Sequence, residues 1–240
     1  MTSIKEIAPD VYRISTFLPE GNIQMNQFLI TDDEPLLWHT GQKYLFNTVR
    51  DAVAKLIDIG RLKWIGFSHF EPDECGSLNE WLSVSPAATP FCSLVGSQIM
   101  MRDYSSRPAR GLKHGERIPT GNYQFVFQST PHLPHGWDAG VLFEEKGKTL
   151  FCSDVMHQNG DTVALTSSDI VESAKGSLAD IQSGPLTNYI PFTTNTEAQL
   201  RGLAALEPKT LAIMHGSSFN GDCAQALLDF AKVLKGILTP

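Results

Sequence analysis

The sequence predicts an α+β fold in which sheets pack together and helices cover them. Three observations predict it. The first forty residues alternate apolar and polar positions and break at turn-prone pairs, the pattern of an antiparallel meander. Helical periodicity then alternates with short strand-like runs along the rest of the 240 residues. Side chains capable of chemistry gather where strands should end, which is how sheets usually build a site at one edge.

In order, Val11 to Thr16 and Asn26 to Ile30 read as strands, separated by the turn Gly21-Asn22. Asp32-Asp33-Glu34-Pro35 turns the chain into a third strand, Pro35 to Trp38, which His39-Thr40-Gly41 closes. Phe46 to Ile59 carries Val49, Val53, Leu56 and Ile57 at helical spacing, with Gly60 as its stop. Lys63 to Ser68 is a strand, Ser77 to Trp81 starts a short helix that Pro86 ends, and Phe91 to Val95 is a strand. Ser97 to Asp103 is a short helix or loop. Ser105 to Gly121, with two prolines and three glycines, is a loop holding a brief strand at Glu116-Arg117-Ile118. Tyr123 to Gln128 alternates again, and Val141 to Glu145 with Lys148 to Cys152 forms a hairpin. Helices follow at Asp169 to Ala174, Glu197 to Leu206 and Cys223 to Leu234. A strand at Leu211 to Met214 ends on His215-Gly216, and Gly184 to Thr194 has no assignable pattern.

Hydrophobic residues make up 42% of the chain, enough for a substantial core, and the length suits one large domain or two small ones. Net charge is -7, with 19 Lys and Arg against 26 Asp and Glu and no basic block, which argues against nucleic acid or an anionic membrane as partner. The four cysteines, Cys75, Cys92, Cys152 and Cys223, form no CxxC pair, so neither a zinc knuckle nor a thioredoxin-type motif is present. Scattered cysteines suit a reducing compartment. The N-terminus does not read as a signal peptide and no run is long enough for a transmembrane helix. A cytoplasmic protein is expected.

The stretch that carries chemistry is His69-Phe70-Glu71-Pro72-Asp73-Glu74-Cys75-Gly76. In extended backbone, residues i, i+2 and i+4 share a side, and His69, Glu71 and Asp73 have that spacing. Imidazole and carboxylate suit iron, manganese and zinc. Without a cation the packed carboxylates would repel, and burying them would cost heavily. A solvated acidic loop with one histidine is the plainer account of the motif alone. Downstream, His135 follows the strand at 123–128, Asp154 ends the second arm of the hairpin, and His215 ends the strand at 211–214. Each taken singly reads more readily as a cap or surface group.

As a set these residues resemble the metallo-beta-lactamase fold superfamily. Within it the chain is similar to the di-iron domain of flavodiiron proteins, and closer still to stand-alone oxygen-binding di-iron proteins (ODP). Those carry His-x-Glu-x-Asp where most hydrolases of the superfamily carry His-x-His-x-Asp-His; here it is His69-x-Glu71-x-Asp73, followed by Cys75-Gly76. The later histidine matches His135 in His135-Gly136-Trp137-Asp138, with His132 as its competitor. The bridging aspartate matches Asp154, and the last histidine matches His215-Gly216. The resemblance spans nearly the whole chain. It implies an αββα sandwich over residues 1–240, with two mixed sheets flanked by helices. It also implies one iron held by His69, Glu71 and His135, a second by Asp73 and His215, and Asp154 between them. A bridging carboxylate holds two ions about 3.5–4 Å apart. Manganese or zinc could substitute.

The chain departs from that pattern in three places. Glu74 stands where hydrolases have a histidine. It could be a ligand of the second metal, a partner of His215 or of bound water, or a solvated surface residue. His39 replaces the aspartate of the usual Asp-Thr-Gly turn and reads as an outer group around the ligands, a role also open to His157. The chain ends at Pro240, where flavodiiron proteins continue into a flavodoxin domain, so no FMN is expected. Met156, Cys152, Trp137 and Phe70 are candidates to line an apolar pocket, although Cys152 reads more readily as a small buried hydrophobe. The expected function is O2 binding at a non-haem di-iron centre, for sensing or scavenging. Slow reduction of O2 or NO would need an external electron donor, and a signalling partner is the other expected contact. The alternative is metal-dependent hydrolysis of an ester, thioester or phosphodiester. A homodimer is expected to cover apolar surface around Trp81, Trp137 or the C-terminal helix.

Overall fold

The computed structural model describes residues 2–239. Strands Thr2–Ala8 (β1), Val11–Leu18 (β2), Ile23–Ile30 (β3), Leu36–Trp38 (β4), Trp64–Gly66 (β5), Thr89–Ser93 (β6) and Arg110–Leu112 (β7) form one sheet in chain order. Its first half is antiparallel, and from β4 to β7 it is parallel. The second sheet contains Arg117–Pro119 (β8), Gln124–Ser129 (β9), Gly140–Glu144 (β10), Thr149–Ser153 (β11), Leu165–Thr166 (β12), Thr210–Ile213 (β13) and Ser218–Phe219 (β14). Its order is β12-β14-β13-β11-β10-β9-β8, with β11 parallel to β13.

Three apolar layers follow from the period-2 alternation of the strands. Between the sheets, Phe28, Trp38 and Phe91 of the first meet Phe125, Phe127 and Phe151 of the second. Phe28 and Phe151 stack edge to face at 5.6 Å. The outer face of the first sheet is covered by helices Phe46–Val53 (α1), Pro72–Cys75 (α2), Leu78–Val84 (α3), Leu94–Ile99 (α4) and Met101–Tyr104 (α5), around Trp81, Leu82 and Val49. The outer face of the second is covered by Val171–Ser183 (α6), Thr196–Ala204 (α7) and Cys223–Leu238 (α8), around Leu178, Leu200 and Phe230. The arrangement is the expected αββα sandwich. Among the described residues no helix is long and apolar enough to cross a membrane.

Several local expectations need correction. The first helix stops at Val53 rather than Ile59, because Lys55 and Leu56 bond to the carbonyls of Ala52 and Val53, three residues back, and tighten the last turn. The strand expected to reach Val95 ends at Ser93, whose hydroxyl accepts from Gly96 N–H and starts α4. Strands β1, β7, β12 and β14 were not expected. The helix expected at Asp169 to Ala174 runs from Val171 to Ser183. Trp81 is fully buried, donating from Nε1 to Thr40 O, so it is no surface for a second subunit to cover. Trp137 is 47% exposed.

Gly66 ends β5 directly before the chemical stretch. A Cβ there would collide with the Phe91 ring. Gly66→Ala is expected to destabilise the fold by about 1–3 kcal/mol through overpacking. Urea unfolding would show it as a lowered midpoint, and an unchanged midpoint would contradict this packing.

Candidate metal centre

The backbone turns twice after β5. Glu71 keeps an extended conformation (φ -142°, ψ 151°), so it points to the same side as His69. Pro72 then starts α2, and its fixed φ suits the first helical position. Asp73 therefore leaves the extended alternation and reaches the cluster from a helix. The buried Asp138 carboxylate accepts from Phe70 N–H at 2.9 Å and pins this loop to the one carrying His135. Asp154 follows β11, and His215 follows β13.

All six residues converge at one edge of the sandwich, in two groups of close donor atoms. In the first, Glu71 Oε2 lies 2.9 Å from His69 Nε2 and 2.7 Å from His135 Nε2. Asp154 Oδ2 lies 3.6 Å from His69 Nε2. In the second, His215 Nε2 lies 3.3 Å from Asp73 Oδ2 and 3.2 Å from Asp154 Oδ1. The two Asp154 oxygens thus face different groups. Neither makes a well-directed hydrogen bond, although both are buried. Buried carboxylate oxygens left this way are costly unless a cation takes them up, so the donor set fits a pair of metal ions. On its far side, His215 Nδ1 donates to Gln24 O at 2.8 Å, which leaves Nε2 as the donor facing the cluster.

The electrostatics agree. Burial alone would raise Glu71, but hydrogen bonds from His135 and His69 hold it at about 2. Burial would likewise raise Asp154, yet His215, His69 and His135 keep it well below the usual range. Burial opposes charge on His69 and His215, and the carboxylates override it, lifting His69 to about 10 and His215 well above its ordinary value. Asp73 is raised, because its burial outweighs the pull of His215. Without metal, imidazole protons supply the positive charge that the carboxylates demand.

Of the outer residues, Glu74 is fully buried, neither exposed to solvent nor within either donor group. Its oxygens meet Ser68, Ser153 and His39 rather than His215. His39 Nε2 approaches Glu74 Oε2 at 2.9 Å, close but poorly directed. His157 stacks 4.7 Å from His215, and burial followed by the nearby His215 charge lowers it to about 4. His132 is exposed and outside the cluster. Cys152 and Met156 are buried in the core under α6–α8, whereas Phe70 and Trp137 are partly exposed. Two residues escaped sequence reasoning. Tyr189, whose ring lies 4.6 Å from His135, sits in the segment without a pattern; burial, then Asp154, pushes its hydroxyl far up. Asp138 looked like one more loop carboxylate.

Two facing mixed sheets with helices outside and a histidine–carboxylate cluster at one edge define a metallo-beta-lactamase fold with a candidate two-metal site. The model of the ODP family beta lactamases matches residues 23–216, and the chain belongs to that family. It is similar to the rubredoxin-oxygen oxidoreductase of Megalodesulfovibrio gigas, 25% identical over 209 residues, which are 86% of this chain and 51% of that protein. It is also similar to a diflavin flavoprotein of Synechocystis, 28% identical over 143 residues, 58% of this chain and 25% of that one. The chain therefore spans about half the length of the first and a quarter of the second. A solved flavo di-iron protein mutant from Thermotoga maritima superposes with a TM-score of 0.80 at 23% identity, over 98% of this chain and 62% of that one, a likeness of fold.

The pKa shifts give the metal-free protein a bounded optimum. Glu74 sits at about 2 against an ordinary 4.5, lowered against its own burial by His39 and His69. Its contribution is complete above pH 4.5 and is lost as pH falls towards 2. His69 sits at about 10 against 6.5, so its contribution is complete below pH 6.5 and is lost as pH rises towards 10. Thermal unfolding of the metal-free protein is expected to peak between these limits. A melting temperature that climbs steadily above pH 6.5 would contradict the assignment.

Proposed function

We propose that residues 1–240 act as one di-iron oxidoreductase domain that reacts with O2, in oxygen sensing or scavenging. The observation that carries this reading is the position of Glu71 Oε2 between His69 Nε2 and His135 Nε2. A hard anionic donor between two imidazoles favours iron or manganese over zinc. When bound, two iron ions supply the one-electron chemistry towards O2 that side chains lack. His69, Glu71 and His135 would hold one ion and Asp73 and His215 the other, with Asp154 contributing to both groups; zinc or manganese would serve as a substitute. Gln24 O keeps His215 in register, and Tyr189 covers the His135 ring and limits water on that side. Electrons for any slow reduction of O2 or NO come from an external donor, in keeping with the rubredoxin in the name of the Megalodesulfovibrio relative. Among the described residues no Lys or Arg pairs with any of the six donors, which leaves a hydrolase without an evident substrate anchor.

Protein loaded anaerobically with iron is expected to carry about two ions per chain. Adding O2 to the reduced form should change the optical spectrum and oxidise the iron, and Glu71→Ala or His135→Ala should abolish the response. No response to O2, together with metal-dependent turnover of an ester panel, would replace this reading with a hydrolase.

A homodimer accompanies the proposal. Trp137 and Phe70 leave apolar surface beside the centre, and two-fold pairing is the commonest cover. Light scattering should give twice the 26.4 kDa chain mass, and a concentration-independent mass of 26.4 kDa would rule the dimer out.

A further inference from the structure

Glu74 is fully buried beside the centre without belonging to either donor group. Its Oε2 accepts from Ser68 N at 3.0 Å and from Ser68 Oγ at 2.6 Å, and its Oε1 accepts from Ser153 Oγ at 2.7 Å. His39 Nε2 stands 2.9 Å from Oε2 and closes the fourth side. A carboxylate only accepts, so both serine protons are drawn towards Glu74. Ser68 Oγ also lies 2.9 Å from His69 Nδ1. With its own proton committed to Glu74, the serine oxygen can only accept in that contact. A proton therefore sits on His69 Nδ1; in the metal-free protein Nε2 also carries one, shared with Glu71 Oε2 at 2.9 Å, and that is the proton a metal would displace. Ser153 supports the arrangement at some cost: it holds a left-handed backbone (φ 56°), uncommon for a residue with a side chain, while its hydroxyl reaches Glu74.

We propose that Glu74 is a positioning residue that, through Ser68 and Ser153, fixes the Nδ1–H tautomer of His69, so that Nε2 is the atom offered to the first metal. The inference rests on the metal-centre reading above. It gives the buried carboxylate a task in place of the three readings open to it from sequence. Partners that hold the far nitrogen of a ligating histidine typically change metal affinity 10- to 100-fold when removed.

The test uses zinc as a diamagnetic probe, and so does not depend on any reaction with O2. Nitrogen-edited NMR of the histidine rings in the zinc-loaded protein should show His69 bound through Nε2, with an Nδ1 proton protected from exchange. Ser68→Ala should release that proton to exchange. In competition with a chromophoric chelator, the same variant should weaken binding of the first zinc about 10- to 100-fold. The metal-free variant should still melt cooperatively, at a lower temperature because the buried Glu74 carboxylate loses one bond. Glu74→Gln should act in the same direction, and if it fails to fold, Ser68→Ala and the ring assignment carry the test alone. His69 bound through Nδ1, or first-zinc affinity unchanged in the folded variants, overturns this inference alone. A protein that takes up no zinc removes both the inference and the reading beneath it.

Discussion

Asp154 is buried between the two sheets with both oxygens free of well-directed hydrogen bonds, and much of the surrounding structure answers that condition. An isolated carboxylate in such a place would give up its charge or unfold the site. Here three imidazoles surround it, and each is fixed from behind: His215 by Gln24 O, His69 by Ser68, and His135 by the ring of Tyr189. The loop after His215 is secured in turn. Arg13 and Asn26, on strands of the first sheet, both donate to Gly216 O at 2.9 Å. The two sheets are thus tied beside the site by polar contacts, next to the apolar layer that joins them elsewhere.

The sequence made this centre legible because donors at strand ends have few alternatives. His69, Asp154 and His215 each close a run whose apolar alternation marks a strand, and the order of those runs identifies the fold. The layered architecture was readable for the same reason. Burial of Glu74 was not readable, since its neighbours in space, Ser153 and His39, are remote in sequence. Tyr189 was invisible because its loop has no periodicity to place it. Boundaries failed where a side chain, not a pattern, decides them. The hydroxyl of Ser93 ends a strand that its apolar neighbours would have continued.

Three of the left-handed residues stand close to the centre. His39, Ser153 and Met156 all have positive φ without being glycine. Each of these conformations costs stability and persists only where the surroundings over-determine it. His39 is held by the Glu74 contact and by its Nδ1, 3.1 Å from Met214 Sδ. Ser153 is held within β11 and by its bond to Glu74. The bends at His39 and Ser153, both at strand ends, accompany side chains that reach Glu74.

The six donors also come from distant parts of the chain. His69, Glu71 and Asp73 follow the first sheet, whereas His135, Asp154 and His215 follow strands of the second. No fragment holding one half can present the whole set. Joining them means closing long loops, an entropic cost that must be met before any donor atoms meet. The contacts that bring the two halves together are those of the aromatic interior, Phe28 and Trp38 of one sheet against Phe125 and Phe151 of the other. A nascent chain still missing β13 already carries five of the six donors and lacks only His215, the imidazole that faces Asp73 and Asp154.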